Sequence, residues 1–197
     1  VLTALTPVTS LPIAAGLLVG YLGADLLSGS VHWFCDTFFS EDTPIIGRTV
    51  IWPFRDHHRH PTAITGYRLL EQDGTSYFVL IPPLVTAIAA GPPEGSALAL
   101  ATHAALCGFA LGAYGTNLFH KWAHSDAVPP LVGWLQRRRL ILSPEAHLVH
   151  HRTYTGGYCV TSGWLNRGLD AVDFFGRAER LVRFVCRRPR RAAEQPE

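Results

Sequence analysis

Four groups of histidines in this 197-residue chain are spaced so that their ring nitrogens could converge on metal. His147, His150 and His151 stand at i, i+3 and i+4, so a helix following Ser143 puts all three on one face. His120 and His124 keep an i, i+4 spacing in His-Lys-Trp-Ala-His, and His32 and Asp36 keep it in Val31–Asp36. His57 and His58 are neighbours in Phe54-Arg55-Asp56-His57-His58-Arg59-His60-Pro61, where Pro61 ends any helix. Neutral imidazole is a common ligand for iron, copper, nickel and zinc. A mononuclear site needs three or four ligands, so eight imidazoles and a carboxylate suit two ions held side by side. Nitrogen donors with one carboxylate and no thiolate favour iron, with zinc as the alternative. Cys35, Cys107, Cys159 and Cys186 form no C-x-x-C pair. Their scatter argues against a zinc ribbon, an iron–sulfur cluster or a disulfide scaffold.

Long apolar runs must position these groups. Hydrophobic residues make up 48% of the chain and charged residues 16%, against about 25% charged in soluble domains. Leu11–Ser28 carries Asp25 as its only charge and, with its flanks, reaches the roughly 20 residues of a membrane span. No basic stretch precedes it and no A-x-A site follows, so a cleaved signal is not expected. Tyr77–Ala90 is shorter and holds Pro82-Pro83, while Ala97–Phe119 is again long enough to cross. Four basic residues (Arg48, Arg55, Arg59, Arg68) lie between the first two runs, and the other thirteen lie from Lys121 onward. By the positive-inside rule both segments are cytoplasmic and the 91–96 turn is outside.

The expected fold is an all-α integral membrane protein, a single domain over 1–197. About three transmembrane helices (about 11–29, 75–91 and 97–119) carry a cytoplasmic, histidine-rich helical cap. Its metal-binding regions are 30–74 and 120–186, and a basic tail at 187–197 is expected to be disordered. All four histidine groups then fall on one membrane face. The second run must cross for this to hold, since otherwise His120 emerges on the wrong side. His103, 17 positions before His120, belongs near the outer surface and is no ligand, and His60 is undecided. Asp25, seven residues before His32 on the same face, is a functional candidate as an intramembrane carboxylate, orienting a liganding imidazole or meeting a headgroup. Trp33, Trp52 and Trp164 are expected at the membrane interface. No nucleic-acid partner is expected.

Several blocks together resemble one family. They are Ser30-Val31-His32-Trp33 through Asp36, Pro53-Phe54-Arg55-Asp56-His57-His58 through Thr65, and His120-Lys121-Trp122-Ala123-His124. The last is His147-Leu148-Val149-His150-His151, followed by Ser162-Gly163-Trp164-Leu165-Asn166. The resemblance is to the plasmanylethanolamine desaturases, the Kua/CarF-type lipid desaturases, over roughly 24–180. It implies a membrane enzyme with two histidine-bound iron ions that uses dioxygen to convert the alkyl ether of plasmanyl phospholipids into the vinyl ether of plasmalogens. By position it implies His32, His57, His58, His120, His124, His147, His150 and His151 as ligands, with Asp36 beside them. The chain has no flavin, haem or iron–sulfur motif, so electrons are expected from an external donor such as ferredoxin or cytochrome b5. A bacterial inner membrane is the expected location. A phospholipid acyl desaturase and a diiron lipid hydroxylase are the enzymatic alternatives, and a histidine-rich metal-binding membrane protein is the non-enzymatic one.

Overall fold

The structure, a computed structural model, describes residues 7–91 and 96–186, and all regular elements among them are helical. They are α1 (Pro7–Phe38), α2 (Trp52–Arg59), α3 (Leu69–Ala90), α4 (Ala97–Ala123), α5 (Pro130–Arg137), α6 (Pro144–Thr153), α7 (Asn166–Ala171) and α8 (Phe174–Cys186). Among the described residues, two helices are long and apolar enough to cross a membrane, Ser10–Phe38 and Ala97–Ala123. The basic tail from 187 and most of the 91–96 turn lie outside the described residues.

The first expected span is longer than the apolar run, because α1 continues unbroken through His32 and Asp36 to Phe38. The second begins at Leu69 and stays helical through Pro82-Pro83, with Val79–Ala90 as the apolar stretch among its described residues. Its 22 residues extend about 33 Å at helical rise.

Helices α1 and α4 meet backbone to backbone through glycines. A Cβ on Gly16 would lie 2.1 Å from the Ala101 carbonyl oxygen, one on Gly20 1.9 Å from that of Ala105, and one on Gly108 2.2 Å from that of Leu17. Gly112 packs against side chains instead, the Ala24 methyl and the Tyr21 ring. Sequence numbers rise together on both helices, so they run parallel and carry their histidines at the same end. Gly16/Gly20 and Gly108/Gly112 are both G-x-x-x-G pairs, the pattern that lets apolar helices approach where lipid offers no hydrophobic drive.

Beyond the parallel pair, the shorter helices pack around two small cores. Trp33, Tyr158 and Phe175 form one, joined by Phe38, Leu169, Ala178 and Val182. Ala123, Leu142 and Val160 form the other, with Phe119 and Ala146. Trp33 is therefore buried, not at an interface, because α8 covers it; Trp52 and Trp164 remain about 40% exposed. Arg55 Nη2 ties helix α2 to the end of α1 by donating to the Phe39 carbonyl at 2.7 Å, and Lys121 Nζ holds the chain that follows α2 by donating to the Tyr67 carbonyl at 2.7 Å.

Gly20→Leu cannot be accommodated without parting α1 from α4, at a cost of about 3 kcal/mol, the upper end of the usual overpacking range. Its thermal unfolding in detergent is expected to shift far below that of the parent. Gly66→Ala, whose added Cβ meets nothing within 4 Å, should melt with the parent. An unshifted melt for Gly20→Leu contradicts this packing.

Candidate metal centre

Each histidine-bearing helix is built to a different local rule, yet all end at one place. Ser143 caps α6, accepting from the Ala146 N–H at 3.3 Å, and Pro144 opens the first turn. The helix stops at Tyr154, whose φ of 54° is left-handed. Helix α2 is one short stretch from Trp52 to Arg59, ending before Pro61, so His57 and His58 are helical. His120 sits in the last turn of α4 and His124 caps its end.

The donor atoms fall into two groups. His57, His120, His124, His147 and His151 form one, and His32, Asp36, His58 and His150 form the other; within each, the donors lie within 4.8 Å of one another. Neighbours in sequence go to different groups. His57 and His58 on α2 divide between them, as do His150 and His151 on α6, because successive helical residues point about 100° apart. Those two helices therefore serve both groups, while α1 serves one and α4 the other.

The spacing within each group is that of ligands. His120 Nε2 lies 2.8 Å from His147 Nε2, which lies 3.0 Å from His151 Nε2, itself 3.2 Å from His124 Nε2. In the second group His58 Nε2 is 3.1 Å from His150 Nε2 and 3.5 Å from His32 Nε2. Asp36 Oδ2 lies 3.3 Å from His32 Nε2. Nitrogens bound about 2.1 Å from one ion stand roughly 3.0–3.4 Å apart in octahedral or tetrahedral geometry. Both Asp36 oxygens and His57 Nε2 are buried without a hydrogen-bond partner, a cost that a cation removes. The donor set fits two bound metal ions.

Tautomers are set from behind. His32 Nδ1 faces the Tyr158 carbonyl at 3.1 Å and His150 Nδ1 faces that of Gly156 at 2.7 Å. A carbonyl can only accept, so Nδ1 carries the proton in both rings and the Nε2 lone pair is left for metal. Both carbonyls belong to an extended strap at 156–165 that runs antiparallel along α1. Asp25 anchors it, accepting from Ser162 N–H at 2.8 Å, Gly163 N–H at 3.0 Å and Leu165 N–H at 3.3 Å. Val160 N–H donates to Ser28 Oγ at 3.0 Å, and Asn166 bonds both the N–H and the carbonyl of Cys159. Asp170 holds Gly157 N–H at 3.1 Å.

Of the residues singled out in the sequence, the eight histidines and Asp36 come together. Asp25 does not touch them: it is fully buried and its carboxylate binds backbone amides, reaching His32 only through the strap. His60 stands 71% exposed beside Asp56 and belongs to neither group, and His103 is likewise in neither. Sequence reasoning missed the strap's own role. Within Ser162–Asn166 the sequence assigns a place only to Trp164, and Tyr158 and Gly156 act through carbonyls that no side-chain pattern reveals.

Burial keeps the rings outside the spans neutral. His57 and His147 lie well below the usual imidazole range, and burial pushes His58 down to about 2. His124, His150 and His151 are each pushed down to about 4 by burial. Between an unfolded value of 6.5 and a folded value of about 4, the unfolded chain binds more protons, so stability rises with pH. With metal chelated, the melting temperature in detergent is expected to fall as pH drops from about 6.5 toward about 4. A level profile down to about 4.5 contradicts neutral burial of these rings.

A lipid desaturase domain model matches residues 21–193. The chain is 41% identical over 176 residues to plasmanylethanolamine desaturase of Myxococcus xanthus, covering 86% of this chain and 60% of that one. It is 38% identical over 185 residues to plasmanylethanolamine desaturase 1 of Mus musculus, covering 90% and 66%. Identity to fatty acid desaturase 4, chloroplastic, of Arabidopsis thaliana is 34% over 177 residues, covering 88% and 52%. The chain thus spans less than two thirds of the length of each of these relatives. No solved structure matches it.

Proposed function

Because the chain belongs to the lipid desaturase family, we propose that it is an oxygen-dependent diiron desaturase that introduces the vinyl ether double bond into plasmanyl phospholipids. The observation that carries the reading is the division of nine converging donors into two adjacent groups. His57, His120, His124, His147 and His151 would hold one iron; His32, Asp36, His58 and His150 would hold the other. Nitrogen-rich donors with a single carboxylate suit iron. The two relatives at 41% and 38% identity both bear the name plasmanylethanolamine desaturase.

Bound iron supplies the oxidising power, drawn from dioxygen, to remove a hydrogen from each of two neighbouring carbons. The balance takes one dioxygen, two electrons and two protons from outside, and releases the alkene and two waters. The chain's own part is to keep the site ready. The Tyr158 and Gly156 carbonyls hold His32 and His150 with Nε2 turned inward, and burial keeps the rings unprotonated without reorganisation. Fully buried His32, His147 and His150 and the aromatic wall of Trp33, Tyr158 and Phe175 exclude bulk water, which protects a reactive site from side reactions. Electrons come from a separate carrier such as ferredoxin or cytochrome b5, docking on the basic cytoplasmic surface.

The parallel run of α1 and α4, with histidines at like ends, supports α3 as a third span that carries the chain back. On this reading the histidines face the cytoplasm, in a bacterial inner membrane, and position 94 lies outside. Glu94→Cys, in a chain whose exposed Cys107 and Cys186 are replaced, should label with an impermeant reagent from the periplasmic side. Labelling only from the cytoplasm would remove the third span.

The function itself is tested in a host that contains plasmanyl lipids and lacks its own desaturase. Acid-labile vinyl ether lipid is expected with the parent chain and should fall to background in His147→Ala and His120→Ala. The purified parent should hold two irons, and each variant fewer. Vinyl ether made at the parent level by the variants would falsify the ligand assignment; a desaturated acyl chain or a hydroxylated lipid instead would redirect the substrate or the reaction.

A further inference from the structure

Helix α5 and the turn after it play no part in the metal centre, yet they are fastened to a membrane-crossing helix inside its apolar stretch. Tyr21, in the middle of the apolar run Leu11–Ser28, donates its hydroxyl to the Leu140 carbonyl at 2.7 Å. Its ring meets Trp164 edge-on at 5.9 Å, and the Trp164 indole N–H donates to the Arg139 carbonyl. Tyr21 is eleven residues from His32, about 16 Å down α1 at helical rise. Residues 139–140 are thus held at a level where one side of α1 faces lipid: Val19 and Leu26, seven residues apart, are 64% and 37% exposed.

The segment's surface suits that level. Leu131 is 68% exposed and Trp134 45%, on one helical face at i, i+3, with exposed Arg138 at i+7. Its guanidinium lies 6.0 Å from the Trp134 ring. Arg137 and Arg139 are exposed beside it, and Leu140 follows at 38%. The other face is spent on the protein: Val132 and Gln136 are buried, and Gln136 Nε2 donates to the Leu142 carbonyl at 3.3 Å. An exposed apolar and aromatic face ending in three cations is the composition of an in-plane interfacial helix.

We propose that α5 and the Arg137–Leu140 turn form a lipid-binding anchor lying in the membrane plane. Leu131, Trp134 and Leu140 enter the acyl region, and the long side chains of Arg137, Arg138 and Arg139 snorkel up toward the phosphates of anionic headgroups. The occupant is the lipid surface, not a protein partner, because Tyr21 ties this turn to the apolar part of a spanning helix. The inference depends on α1 crossing the bilayer and not on the reaction, so vinyl ether assays leave it untouched.

The test uses the full chain in nanodiscs, with Cys107 and Cys186 replaced and a fluorophore placed on Leu131→Cys, Trp134→Cys or, as a control, Arg152→Cys. Lipids bearing a nitroxide near the headgroup or high on the acyl chain should quench the first two labels and spare the control. Labels at 131 and 134 quenched by aqueous iodide instead, or shielded from both quenchers as under a bound protein, overturn the anchor. For the arginines, the parent should melt higher in phosphatidylglycerol nanodiscs than in phosphatidylcholine ones. Arg137→Gln, Arg138→Gln and Arg139→Gln combined should melt as the parent does in phosphatidylcholine but lose most of that gain. An undiminished gain overturns the headgroup contact.

Discussion

Seven imidazole Nε2 atoms paired at 2.8–3.5 Å, with His57 Nε2 buried beside them and without a partner, make an arrangement that proteins do not adopt for its own stability. Burial denies most of these rings the water that would otherwise satisfy them. Everything else in the molecule works to hold that unfavourable convergence until cations relieve it. The scaffold must be stiff, because lone pairs left to relax would rotate apart.

Stiffness comes from two devices on different faces of α1. On one, small residues let the backbone of α4 come so close that neither helix can slide or turn. On another, Asp25, Ser28 and His32 rise at i, i+3 and i+7 and meet an extended strand of chain in order. That strand pays its backbone hydrogen bonds to side chains instead of to a second strand, which is how it can lie buried without a sheet. A fully buried carboxylate that collects three amide N–H groups is a structural pin, and its charge is met by backbone dipoles.

The histidine groups were legible in the sequence because i, i+3 and i+4 spacing survives translation into a helix, and because charge placement put the groups on one face. The direction of side chains around a helix was also available: adjacent histidines must diverge, so His57 and His58 could only have served two positions. Less legible were contacts that one partner alone cannot announce. Trp33 reads as an interfacial aromatic until α8, more than a hundred residues later, packs over it. Asp25 reads as an imidazole partner because it shares a face with His32, whereas the intervening strand claims it first. The paired glycines of α1 and α4 carried a recognisable signal within runs whose apolar character drew attention to length.

The glycine contacts bear on how a long substrate could arrive. Where carbonyls of one helix touch the α-carbons of the other, no gap remains that a methylene chain could thread. On the desaturase reading, a tail does not reach the histidines through the seam between α1 and α4, and has to come around that pair.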